Sequence, residues 1–122
     1  MKVNFRINDI KFEGEFNDTR TAKEIYANLP LNSIANTWGD EIYFDIGLKL
    51  SKENPTLDVK IGDIAYWPQG SCMCIFFGPT PVSTNKNPKP ASEVTIIGKT
   101  NTDIKLLRSV KDGDEIIVEK KL

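Results

Sequence analysis

The residues here with types suited to chemistry are two cysteines, Cys72 and Cys74, three arginines, Arg6, Arg20 and Arg108, and a few carboxylates beside turns; histidine is absent. Without histidine the chain has no Ser-His-Asp triad, no Cys-His pair, no imidazole general base and no ordinary zinc ligand set. Cys74 lies between Met73 and Ile75, which offer neither a base nor a positive field, so its thiol is expected to be buried and inert. The spacing Cys72-Met73-Cys74 puts both sulfurs on one face of a strand, a poor geometry for a disulfide and too few ligands for a metal. No GxGxxG or GxxxxGK[ST] pattern provides a phosphate cradle. No cofactor and no metal are expected.

The remaining candidates are rings, prolines and polar anchors. The stretch GDIAYWPQGSCMCIFFGPTP at residues 62–81 concentrates aromatics, prolines and both cysteines. If it forms strands, Ala65 and Trp67 oppose Ile64 and Tyr66, and Cys72, Cys74 and Phe76 oppose Met73, Ile75 and Phe77. One face of each strand must then carry large rings outside the main core. Alternation at Ile42, Phe44 and Ile46 likewise sets Glu41, Tyr43 and Asp45 on the other face. An apolar groove is therefore expected with Trp67, Tyr43, Phe77 and Thr80 as walls and Glu41 or Arg6 as polar anchor. The competing reading is a satellite core in which a helix and a proline-rich loop cover the same rings.

The elements that would position these residues are mostly strands. Val3, Phe5 and Ile7, then Ile10, Phe12 and Phe16, alternate around Asn8-Asp9, a hairpin signature. Over residues 18–29 the period changes, with Ala22, Ile25, Tyr26 and Leu29 on one helical face, Thr21 and Glu24 as a capping box and Pro30 as the stop. Further strands are expected at 34–38, 42–46, 59–61, 64–68, 72–77, 94–99 and 115–119. A short helix over 103–110 would be capped by Thr102. Gly-Asp at 39–40, 62–63 and 113–114 reads as turn chemistry. Residues 79–90, PTPVSTNKNPKP, form a long loop of the kind that serves as a lid or a binding segment. About eight short strands favour a closed barrel in one domain spanning 1–122.

Sixteen basic against seventeen acidic side chains give a net charge of −1, so no global field attracts nucleic acid or anionic lipid. The longest apolar run, residues 72–77, is far short of the ~20 that cross a bilayer. With no charged and apolar leader at Met1-Lys2, a cytoplasmic protein is expected. Neither nucleic acid nor membrane is an expected partner; a small molecule or a proline-containing peptide is.

Taken together, NTWGDEIYFDI (36–46), the 62–81 stretch, VKDGDEIIVE (110–119) and TAKEIYANLP (21–30) resemble the small cyclophilin-like domain family of bacteria and archaea over nearly the whole chain. The resemblance implies a closed, eight-stranded, cyclophilin-like β-barrel with a helix at its openings. It implies no catalytic residue: the FHRxxxxFMxQGG segment of the prolyl-isomerising cyclophilins has no counterpart, and none of the three arginines stands in a matching context. The expected functions rank as a binding module, then a subunit-interaction protein, then a peptidyl-prolyl isomerase using Arg6 or Arg20.

Overall fold

A computed structural model describes all residues 1–122. The strands are β1 (Lys2–Ile7), β2 (Ile10–Phe16), β3 (Leu31–Ile34), β4 (Asn36–Thr37), β5 (Glu41–Asp45), β6 (Asp63–Trp67), β7 (Cys72–Phe76), β8 (Thr95–Lys99) and β9 (Glu115–Lys120), with helices α1 (Arg20–Ala27) and α2 (Ile104–Arg108). All pairings are antiparallel, in the order β3-β9-β1-β2-β8-β6-β7-β5-β4. The two ends of this sheet approach each other, since β3 lies beside β5 and the Ser33 hydroxyl donates to the Asp45 carbonyl at 2.7 Å. The result is a mainly β, nearly closed barrel with two short helices, the class expected from the sequence.

Alternation explains the inside. Val3, Phe5 and Ile7 point inward with Ile42, Phe44, Ile64, Tyr66, Met73, Ile75, Ile116 and Val118. Phe5 sits opposite Phe12 in register, and the two rings stack at 4.9 Å. Helix α1 adds Ala22 and Ile25 to this core. The Tyr66 hydroxyl, though buried among apolar groups, is satisfied: it donates to the Leu48 carbonyl at 2.6 Å and accepts from Leu50 N at 2.9 Å. It thereby ties the extended 47–50 segment to the barrel.

Local chemistry departs from the sequence expectation at four places. The expected single strand over 34–38 divides at Ala35, whose N–H donates to Asp114 O at 2.8 Å and whose carbonyl accepts from Gly113 N at 2.9 Å. The chain there leaves β9 for β5, so two strands, β3 and β4, stand where one was expected. Residues 59–61 form no strand, because Asp63 N bonds back to Lys60 O at 3.0 Å in a tight turn through Gly62, with φ +94°. The cap of α1 is Thr19, which accepts from Ala22 N at 3.1 Å, while the Thr21 hydroxyl donates to Glu53 Oε1 at 2.7 Å. Helix α2 is capped by Asp103, accepting from Lys105 N at 2.9 Å, and not by Thr102. No helix is long and apolar enough to cross a membrane.

Candidate functional site

On β5, β6 and β7 the residues that alternate with the inner core point out of the barrel and build a second apolar cluster: Ala65, Cys74 and Phe76, joined by Val59 and Val94, with Tyr43, Trp67 and Ile96 against it. Register places Glu41 beside Phe76, Tyr43 beside Cys74 and Trp67 beside Cys72. A cavity of about 250 Å³ opens over this cluster.

The turn Trp38-Gly39-Asp40-Glu41 supplies two of its residues from one corner. Trp38 N donates to Glu41 O at 2.9 Å, closing the turn, and Gly39 takes φ +60°, a conformation natural to glycine. A side chain at Gly39 would also lie 2.9 Å from Pro79 O, from Thr80 Cα and from Pro81 Cδ, so the 79–81 segment presses directly on the turn's back. Asp40 completes the support, accepting from Phe77 N at 2.9 Å through its carbonyl and pairing with Arg108 at 3.1 Å. Trp38 and Glu41 therefore face the cavity, together with Tyr43 two residues on.

Across from them, Trp67 meets Tyr43 edge to face at 6.4 Å between centroids. Its indole N–H donates to Ser92 Oγ at 2.6 Å, and that hydroxyl donates to Gln69 Oε1 at 2.9 Å. The chain fixes the ring to the segment that contributes Pro90, Ala91 and Val94 as the remaining wall.

Glu41 is the singular group here. It is only 6% exposed, and burial pushes its carboxyl up to about 7, with the Cys74 thiol pulling weakly the other way. Every fully enclosed side-chain nitrogen or oxygen in the molecule has a partner. A carboxyl with no backbone N–H, hydroxyl or cation donating to it must therefore reach the open space of the cavity it lines. Burial, reinforced by Glu41, holds the Cys74 thiol well above its ordinary range, and burial also raises Cys72; neither is a thiolate nucleophile near neutral pH. No group of three or more His, Cys, Asp or Glu side chains converges as a metal site. The arrangement is suited to non-covalent capture.

Of the residues expected from sequence, Glu41, Tyr43 and Trp67 come together here. Phe77 does not: it follows Met73 and Ile75 on the inward face and lies in the main core, so the ring beside Glu41 is Phe76. Thr80 is buried in its own loop, donating to Lys89 O at 2.5 Å, and braces the Gly39 turn from behind. Arg6 stands on the outer face of β1 among Asn4, Lys11, Glu13 and Glu119, on strands far from β5 in the sheet order. Pro79 and Pro81 buttress, while Pro90 and Ala91 line. Trp38, Cys74 and Phe76 are not among the residues expected from sequence; alternation sets Cys74 and Phe76 on one face of their strand, opposite Phe77, and only the β5–β7 pairing shows that this is the face beside Glu41.

The family model described as Cyclophilin-like matches residues 1–119. Among solved structures, the solution structure of the hypothetical protein AF2241 from Archaeoglobus fulgidus is similar at 37% identity, with a TM-score of 0.84 over 99% of this chain and 95% of that one. Curated proteins provide no match.

Proposed function

This chain belongs to the cyclophilin-like family, and from that membership and the outer cavity we propose that it is a ligand-binding protein taking a small molecule, or one side chain of a peptide, between β5, β7 and the 90–94 segment. The observation that carries the reading is Glu41: a nearly buried carboxyl, met in the protein by the Cys74 thiol but by no cation, hydroxyl or backbone N–H, on the wall of an otherwise mostly apolar cavity. Burying such a group without a partner is costly, and a cavity of apolar walls with a few placed polar groups is the usual form of a small-molecule site. At about 250 Å³ the space lies just below the ~300–1,000 Å³ of drug-sized sites, which favours a compact ligand.

Prolyl isomerisation is the weaker reading. No arginine lines the cavity; Arg6 is on the far side of the barrel, and Arg20 begins α1, where its backbone N–H bonds Glu53. A guanidinium donor to the prolyl nitrogen is thus not supplied by either candidate. The test is a ¹⁵N NMR titration with an Ala-Pro peptide and a fragment library, with exchange spectroscopy on the peptide. Shifts clustered at residues 38–43, 67, 74–76 and 90–94, without faster cis/trans exchange, are expected. Shifts confined to other faces would overturn the site, and accelerated exchange would overturn binding without catalysis.

A further inference from the structure

Four aromatic rings share the cavity with Glu41: Trp38, Tyr43, Trp67 and Phe76. The faces of such rings are electronegative and attract cations, most strongly where water is excluded. Their faces repel an anion, whatever weak attraction the positive ring edges offer, and a buried carboxylate repels one outright. The protein itself brings no positive charge to the site. Its lining includes neither lysine nor arginine, and the cation that reaches the adjoining turn, Arg108, is engaged by Asp40.

The geometry points to a small organic cation, an ammonium or guanidinium on an apolar body, as the ligand of this cavity, with its charge against Glu41 and its body among Trp38, Tyr43 and Trp67. This inference rests on the reading of the cavity as a binding site and names what enters it. Aromatic walls remove the ligand's water, and the carboxylate replaces it with a compensating charge. The Tyr43–Trp67 edge-to-face pair, held by the Ser92–Gln69 relay, keeps those walls in place before any ligand arrives. Such preorganisation reduces the ordering cost of binding.

Titration separates this class from its main competitor. A protonated Glu41 could instead donate to a carbonyl or carboxylate ligand, whose affinity would fall as the proton leaves. A cation does the reverse. The titratable groups facing Glu41 are Tyr43 on β5 and Cys74 on β7; the 90–94 wall adds Pro90, Ala91 and Val94, none of them ionisable. Glu41 is the carboxyl of this lining, and burial brings its change of charge to about pH 7.

Both tryptophans of the sequence, Trp38 and Trp67, line the cavity, so intrinsic fluorescence reports occupancy directly. The probes are choline and benzyltrimethylammonium, permanently charged, beside analogues in which a tert-butyl group replaces trimethylammonium. Expected is a fluorescence change with the cations, tightening by about tenfold from about pH 6 to about pH 8 as Glu41 ionises, weak binding of the uncharged analogues, and loss of the pH response in Glu41→Gln. Analogues that bind as tightly as the cations, with no pH dependence, would overturn the cation assignment and leave the binding reading standing. Affinity that falls with pH would also overturn it, in favour of an acceptor ligand. If neither the probes nor the fragment library perturbs Trp38 or Trp67, both readings are overturned. The wild-type pH profile and the isostere comparison decide the matter even if Glu41→Gln folds poorly.

Discussion

Glu41→Gln should make the unliganded protein more stable at neutral and alkaline pH. In the folded chain this carboxyl holds its proton up to about 7, against an ordinary value of 4.5. Between those values the folded state binds more protons than the unfolded one, so stability falls as pH rises. At about 1.4 kcal/mol per pH step, the loss between the two values reaches about 3 kcal/mol. Glu13, Glu15, Glu53 and Asp112 act in the opposite sense, since Lys121, the N-terminal ammonium and Thr21 and Thr37 respectively hold their carboxyls below the ordinary range. Their contribution is complete above that range and is lost in acid. The wild type should therefore be most stable near about pH 5 and weaken toward about pH 8, whereas Glu41→Gln stays nearly flat over that interval. Urea denaturation followed by far-ultraviolet circular dichroism reads this directly. With slopes of ~1–3 kcal/mol per molar urea, the midpoints at about pH 8 should differ by on the order of 1 M or more and converge near about pH 5. Parallel pH profiles for the two proteins would refute the argument, because the carboxyl would then carry the same proton affinity folded and unfolded.

Three further outcomes follow from the same geometry. Tyr66→Phe removes the bond to Leu48 O and strands Leu50 N; it should cost about 1–3 kcal/mol in denaturant unfolding and speed hydrogen exchange at Leu50. Gly98→Ala would drive a methyl group into the Glu15 carbonyl across the β2–β8 pairing, with Phe16 Cα 3.0 Å away. Because the obstructing atoms are β2 backbone and not a flexible side chain, that variant should lose more than about 2 kcal/mol, whereas Gly113→Ala meets open space and bears only the strain of its φ of +93°. Finally, Cys72 and Cys74 should resist a thiol reagent at about pH 8 in the native protein and react promptly in denaturant; rapid labelling of Cys74 in native buffer would show that the outer cluster opens.

The barrel was legible in the sequence because its information is local. Alternation in 2–7 and 10–16, the helical spacing of Ala22 and Ile25, and the turn glycines each depend on neighbours a few residues away. What escaped was pairing. Nothing local says that the strand containing Glu41 lies against the one containing Phe76, yet that antiparallel register decides which rings face the carboxyl. Phe76 and Phe77 are adjacent and chemically identical, and a period of two sends them to opposite sides of the sheet; choosing between them requires knowing which face is the barrel interior. Arg6 fails for the same reason, since its outward orientation on β1 was readable but its distance from β5 around the sheet was not. Glu41, Tyr43 and Trp67 could be found early because each breaks an apolar pattern or alternates against one. Pro90 and Ala91 had no such signal, their loop being anchored by the non-local Thr80–Lys89 and Trp67–Ser92 bonds.

The place of β9 bears on how the molecule comes into being. This strand, at residues 115–120, is last along the chain but inserts between β1 and β3. While the polypeptide is being made, the β1–β2 hairpin is present long before the strand that covers its free edge. At ~5–20 residues per second, that edge waits roughly 5–20 s for its partner. The same holds for β3, which has no other strand beside it in the ladder. Two exposed edges on a nascent chain invite pairing with a neighbouring copy; the outward-facing Lys2, Asn4 and Arg6 of β1 are the polar side chains that discourage it there, whereas β3 presents Asn32 beside a half-exposed Ile34. Ribosome-stalled chains cut before residue 115 should accordingly remain protease-sensitive, with the barrel closing only after the last strand is released.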